Sequence, residues 1–280
     1  DIRIRDLLLA KPDDIISEII DGRFVALNVY DDQEHASQVF KMNNRTAIPV
    51  VDDNDVLLGI VTIDDILWVT NEEFSEDMQK MGGMEALNEP YLDISIFKLF
   101  KKRITWLVVL FIGELFTATA MGYFEDELAK VLVLASFIPL ILSTGGNSGS
   151  QSSTLIIQAM AVGEITIADW WKILRREIIG GFLLGILLGI LGFFRVAVWH
   201  MIAPGFYGVH WFLIGITIGF TILGVVIWGT MTGSMLPIVL KRLGADPAVS
   251  SAPFVATLVD VTAILIYFSL AYFFLSGTLL

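Results

Sequence analysis

Five apolar segments restrict this chain more than any other feature. They begin at about residue 104 and fall at roughly 104–124, 131–160, 178–201, 211–240 and 253–276. A helix needs about 20 residues to cross ~30 Å of hydrocarbon. Lipid offers no partner to an open backbone, so an apolar run of that length is read as a helix. The expected fold class is an α-helical membrane protein with five transmembrane helices. The 55% share of hydrophobic residues agrees with it. Basic residues orient the spans. Lys101, Lys102 and Arg103 precede the first, Lys172, Arg175 and Arg176 follow the second, and Lys241 and Arg242 follow the fourth. Lys and Arg collect on the cytoplasmic side, so residues 1–103 are expected in the cytoplasm and the C-terminus outside a cell membrane crossed five times.

Charge divides the chain again. Residues 1–100 hold 8 Lys and Arg against 21 Asp and Glu, whereas residues 101–280 hold 10 against 9. So acidic a front part is unsuited to nucleic acid, whose phosphates demand positive charge, and suited to cations. With no cysteine in the sequence, disulfides, thiolate catalysis and cysteine metal sites are excluded. No HExxH and no Ser/His or Asp/Asp catalytic spacing occurs in the spans, so the chain is not expected to be an enzyme. The opening DIRIRDLLLAKPDD lacks a signal-peptide core and is expected to be the edge of a longer chain.

Residues 13–70 read as mixed α/β. IISEIID suggests a helix, FVALNVY a strand, DQEHASQVFKMNN a helix, TAIPVVDD and VLLGIVT strands, and IDDILWVTNEE a helix. The stretch DDQEHASQVFKMNNRTAIPVVDDNDVLLGIVTIDDIL, above all GIVTIDD, resembles a cystathionine-beta-synthase (CBS) domain, and RIRDLLLA within residues 1–12 resembles the tail of a preceding CBS repeat. The resemblance implies ATP or a related adenine nucleotide at Thr62 and Asp65 in those members that bind one. The plainer reading makes the two residues a helix cap.

Residues 71–103 form an acidic linker. Glu72, Glu73, Glu76 and Asp77 repel one another on adjoining faces of one helix, which either solvent or a divalent cation would relieve. A Gly-Gly break and Pro90 follow. ISIFKLF with three bases after it then suggests an amphipathic helix lying on the membrane surface.

Two anomalies mark the membrane part, residues 104–280. The second span contains STGGNSGSQSST, which must face protein or water. Gly145, Ser148, Gly149 and Ser152 suit close helix packing. Asn147 and Gln151, four residues apart, are left to line a pore, with Gly145 and Gly146 letting the backbone approach closely. The fifth span, SAPFVATLVDVTAILIYF, buries Asp260 some eight residues deep, or about 12 Å at ~1.5 Å per residue. An acid at that depth is a functional site by default. Ala256 and Pro253 share its face, Thr257 lies on the adjoining one, and Pro253 is expected to free carbonyls toward an ion. Glu114 and Arg195 are the other charges within the expected spans.

PLILSTGGNSGSQSSTLIIQAM, the loop RLGADPA and SAPFVATLVD, in this order after the CBS element and linker, resemble the MgtE-type magnesium transporters. The resemblance implies a homodimer whose protomers line one pore in the lipid bilayer. Asp260 and the carbonyl of Ala256 from each copy would hold hydrated Mg²⁺. It implies a cytoplasmic Mg²⁺ sensor that closes the pore, built from Asp32, Glu34, Asp65, Glu73, Glu76 and Asp77, with Asp246 facing them from the membrane side. It also implies that an N-terminal helical domain and most of a first CBS repeat lie outside this sequence. Departures from the family pattern are Ser150 and Ala252 where Asn is common or can occur, Ala263 where Gly is common, and Trp68 where an acid can occur. An intramembrane Asp would equally serve a proton- or sodium-coupled divalent-cation transporter.

Overall fold

A computed structural model describes residues 4–19, 25–126 and 131–280. The chain divides into two compact units, Asp1–Glu76 and Asp77–Leu280. In the first, helices α1 (Ile4–Leu9) and α2 (Ile16–Ile19) precede strand β1 (Leu27–Asn28), helix α3 (Gln33–Asn43), strands β2 (Ala47–Val51) and β3 (Leu57–Thr62), and helix α4 (Ile63–Met81), which runs on into the second unit. The sheet order is β1-β2-β3. β1 lies parallel to β2 with Leu27 opposite Val50, and β3 is antiparallel with Pro49 opposite Ile60. Leu27, Ala36, Val39, Phe40, Ile48 and Ile66 form the core between sheet and helices.

Short polar side chains set the ends of these elements. Asp32 caps α3 by accepting from the Glu34 N–H at 2.9 Å, and Asn44 ends it in the left-handed region at φ 49°, which Asn tolerates. β1 is shorter than FVALNVY suggested. The Asn28 side chain accepts from the Tyr30 N–H at 2.9 Å, and the Asp31 carboxylate accepts from the Asn28 N–H at 2.8 Å, so a local turn replaces the ladder. Phe24 of that stretch, and Ile20 and Asp21 of IISEIID, lie outside the described residues. Between β2 and β3 the Asp52 carboxylate accepts from the N–H groups of Asn54 and Val56 at 2.8 and 2.9 Å. These bonds hold its pKa below the usual carboxylate value.

The second unit contains five helical segments long and apolar enough to cross a membrane, Ile96–Tyr123, Leu132–Ala161, Ile167–Ile202, Gly208–Arg242 and Ala252–Leu275. Helix α5 is Ile96–Tyr123. The second segment is a short α6 (Leu132–Ala135) and α7 (Ile138–Ala161). Then come α8 (Trp170–Ile202), α9 (Trp211–Arg242) and α10 (Ala252–Leu275). A separate surface helix was expected over ISIFKLF. Instead these residues are the first turns of α5, which runs unbroken from Ile96 into the apolar segment under a Ser95 cap. No Gly or Pro interrupts residues 96–112, so nothing stops the helix there. α8 likewise begins before residue 178 and takes Glu177 into the helix.

Glycines bring α7 against α9. A Cβ on Gly233 would lie 2.0 Å from the Gly149 carbonyl oxygen, and one on Gly229 2.6 Å from that of Gly145. Only hydrogen fits between the two backbones, the contact that small residues allow in lipid. Toward the other end, Ile141, Ile218, Val225, Ile264, Tyr267 and Phe268 belong to one buried apolar cluster.

Candidate functional site

The two faces of α7 differ as the sequence suggested. Gly145, Gly146, Ser148, Gly149, Ser152 and Ser153 are buried against neighbouring helices. Asn147 and Gln151 are exposed, and Ser143 extends their stripe, accepting from the Asn147 side-chain amide at 3.3 Å. The stripe is thus amide and hydroxyl in a segment whose surroundings are otherwise apolar.

The face of α7 turned to α10 registers that helix. Ser153 donates to the Ser250 carbonyl and Ser150 to the Ala252 carbonyl, each at 2.9 Å. Farther along, a Cβ on Gly146 would meet the Ala256 Cβ at 3.2 Å and Asp260 Oδ1 at 3.7 Å. Gly146, Ala256 and Asp260 therefore share one small space. Asp260 is half-buried, and its Oδ1 is buried with no hydrogen-bond partner. A desolvated carboxylate oxygen without a donor is costly, and a cation or its water shell would relieve it.

Pro253 does not free the carbonyls expected of it. It occupies the first turn of α10, where the missing N–H would have no intrahelical acceptor, and Ser251 caps the turn. Pro237 is the proline inside a membrane helix, in α9, and leaves the Gly233 carbonyl without its i+4 donor.

A second acid beside Asp260 had been noted only as a charge within a span. Glu114 of α5 accepts from the Thr257 hydroxyl at 3.2 Å, and Thr257 lies one turn before Asp260. A Cβ on Gly113 would come within 2.4 Å of Thr257 Cγ2, so the two helices approach there. No periodicity announces this pairing, since residues 114 and 257 meet only through the fold. Glu177 lies one residue before the expected third span and falls within α8. Its Oε2 accepts from the Ser152 hydroxyl at 2.6 Å.

The acids proposed as sensors are distributed between the units. In the first, Asp32 and Glu34 stand at the start of α3, and the Gln33 side-chain amide beside them donates to Glu73 Oε1 of α4. Asp65 accepts from the Thr62 hydroxyl at 2.8 Å and from its N–H at 3.4 Å, the geometry of a helix-start cap. Glu76 and Asp77 follow Glu73 on α4. In the second unit, Asp246 Oδ2 binds Lys80 Nζ at 2.7 Å, while its Oδ1 caps the turn Pro247–Val249 through the Ala248 N–H. Among the described residues no three His, Asp or Glu side chains gather to hold a metal ion.

The start of α10 is tied to the segment leading into α5. Gly83, at φ +74°, packs so closely on the Trp106 indole that a Cβ would lie 2.7 Å from it and 3.4 Å from Pro253 Cγ. Trp106 donates through its indole N–H to the Ser251 hydroxyl at 3.1 Å.

Comparison with known proteins accords with these features. Residues 138–270 match the family model MgtE, described as a divalent cation transporter, and residues 4–71 match a CBS domain. A protein named magnesium transporter MgtE from Thermus thermophilus is 36% identical over 270 residues, 96% of this chain and 58% of the relative. Proteins of the same name from Enterococcus faecalis and Bacillus subtilis are 33% and 31% identical over 98% and 95% of this chain and 58% and 57% of their own lengths. The chain thus spans somewhat under three fifths of these relatives. It is a multi-pass membrane protein whose residues 138–270 carry an MgtE-type membrane domain and whose residues 4–71 carry a CBS domain.

Proposed function

We propose that this chain forms the pore and part of the cytoplasmic gate of a homodimeric Mg²⁺ channel, with the N-terminus in the cytoplasm and the C-terminus outside. Magnesium transport is carried over from the names of its three relatives. The single observation that supports it best is the buried, unpartnered Oδ1 of Asp260 beside Gly146 and Ala256. Mg²⁺ sheds water reluctantly. A suitable site therefore grips the hydrated ion through hydrogen bonds from carboxylate and carbonyl oxygens. Asp260 from each copy supplies negative charge, which repels anions and favours divalent over monovalent cations. Gly146, which adds no side chain beside that acid, lets α7 come close to Ala256 and Asp260 of α10. Asn147, Gln151 and Ser143 offer amide and hydroxyl groups to a hydrated ion along the path, and the Ala256 carbonyl and Thr257 complete the site.

Regulation follows from the acidic front part. Within one protomer, the described residues assemble no metal cluster. A regulatory Mg²⁺ would be held by Asp32, Glu34, Asp65, Glu73, Glu76 and Asp77, with Asp246 from the membrane side, and would bridge them to acids of the other copy. Without the ion these carboxylates repel and the compact, closed arrangement is disfavoured. With it, the population shifts toward closure in proportion to the ion's preference for that arrangement. The contacts of Gly83 with Trp106 and Pro253 supply a path to α10. ATP at Thr62 and Asp65 receives less support, because the two side chains bond each other.

A second reading has one observation in its favour. Glu114, Thr257 and Asp260 form a short run of polar groups across α5 and α10, as a proton- or sodium-coupled transporter would use. Flux into liposomes, with Mg²⁺, H⁺ and Na⁺ set independently on each side, separates the two. A channel follows the Mg²⁺ gradient and the membrane potential alone and closes when Mg²⁺ rises on the cytoplasmic face. Dependence on a proton or sodium gradient would replace the channel reading.

A further inference from the structure

Where the end of α8 meets the turn into α9 lies a half-enclosed cavity of about 580 Å³. Its walls are mostly apolar, among them Leu140 of α7, Leu188 and Leu191 of α8 and Ile222 of α9. One basic group stands in this wall. Arg195 lies seven residues before the end of α8, or about 10 Å of helix. Among the described residues no carboxylate pairs with it.

Its neighbours orient the guanidinium without neutralising it. The guanidinium carbon sits 4.5 Å from the centre of the Trp199 ring, and Nη1 donates to the Tyr207 hydroxyl oxygen at 3.5 Å. Tyr207 is 5% exposed and stacked on Phe137, which fixes that oxygen in place. Since the oxygen accepts from Arg195, its own proton remains to be donated. Arg195 keeps further N–H groups, and arginine suits the paired oxygens of a phosphate. Trp199, Phe206, Tyr207 and Trp211 are the aromatic residues expected where a helix leaves the hydrocarbon. The cavity is thus a slot at headgroup level, with a cationic, hydroxyl-bearing rim and an apolar floor.

The geometry points to a bound anionic phospholipid, its headgroup phosphate on Arg195 and Tyr207 and one acyl chain along Leu140, Leu188, Leu191 and Ile222. An unpaired cation within the bilayer thickness is costly, and a lipid phosphate supplies the missing charge where protein does not. The apolar floor distinguishes this occupant from free phosphate, which gains nothing from leucine. In the proposed topology the lipid belongs to the outer leaflet.

Photolabelling and lipid retention test it. Intact protein in nanodiscs is exposed to phosphatidylglycerol carrying a photoactivatable group on its acyl chain, and the label is mapped by mass spectrometry. Labelling is expected on the cavity walls, at Leu140, within residues 188–207 and at Ile222, and phosphatidylcholine should compete less well by about five-fold, the preference one basic residue gives an anionic lipid near the surface. Arg195→Gln should bring the two lipids to parity in native mass spectrometry, while Arg195→Lys should keep most of the preference. If Arg195→Gln does not fold, the map and the competition on the unaltered protein decide. Labelling elsewhere, equal competition by phosphatidylcholine, competition by soluble glycerol phosphate as strong as by the lipid, or cross-links through Leu191 between two copies would each overturn the proposal.

Discussion

Carboxylates fare differently in the first unit and within the membrane helices of the second. In the first, Asp32, Asp52 and Asp65 each accept hydrogen bonds from nearby backbone N–H groups, closing a turn or capping a helix. In the membrane helices the N–H groups are already engaged in the helix, so Asp260 Oδ1 is buried without a donor and Glu114 reaches only a threonine hydroxyl. The same chemical group is scaffolding where loose backbone donors are plentiful and is left with an unpartnered oxygen where they are absent.

The strongest attempt to break this contrast is Asp260→Ala. If the unpartnered oxygen serves the ion, Mg²⁺ flux into liposomes should fall by roughly a hundred-fold, about 2.7 kcal/mol at ~1.4 per factor of ten, while the melting temperature stays level or rises. Loss of flux together with a collapsed fold would make Asp260 structural, and undiminished flux would remove it from the pore. Next, joint neutralisation of Glu73, Glu76 and Asp77 should raise the cytoplasmic Mg²⁺ needed for half-closure by somewhere between about 5- and 150-fold, the range of ordinary coupling energies, leaving open-state flux unchanged. Unaltered closure would remove α4 from the sensor.

Packing can be separated from chemistry by two glycine substitutions. Gly233→Ala forces a Cβ onto the Gly149 carbonyl and should destabilise the detergent-solubilised protein by about 1–3 kcal/mol. Gly180→Ala meets nothing within 4 Å and should be neutral or stabilising by up to about 1 kcal/mol, both read by thermal unfolding. The smallest effect is expected at Asp52. Because its folded pKa is lowered, its contribution to stability is present above the usual carboxylate value and is lost as pH falls through the folded one. Asp52→Asn should flatten that acid limb in a pH series of melting curves by slightly lowering the melting temperature at neutral pH, with little change in acid, where the wild-type contribution is already lost.

Much of this was legible in the residues. Apolar length announced five spans, since the hydrocarbon thickness is fixed, and the i,i+4 spacing of Asn147 and Gln151 placed them on one exposed face of α7. What escaped depended on partners distant in sequence or on element ends. Glu114 meets Thr257 across 143 positions, and Lys80 meets Asp246 across 166. The start of α5 looked like a surface helix because ISIFKLFKKR is amphipathic, yet only a helix breaker would have separated it from the span. β1 shrank because Asn28 offered its backbone a turn.

The continuity of α5 has a mechanical consequence. Twenty-eight residues at ~1.5 Å each make a rod of about 42 Å without a joint. Such a rod cannot absorb a push at its lysine-bearing end by folding. It must tilt, slide or rotate as one body, carrying Trp106 and Glu114 along with it.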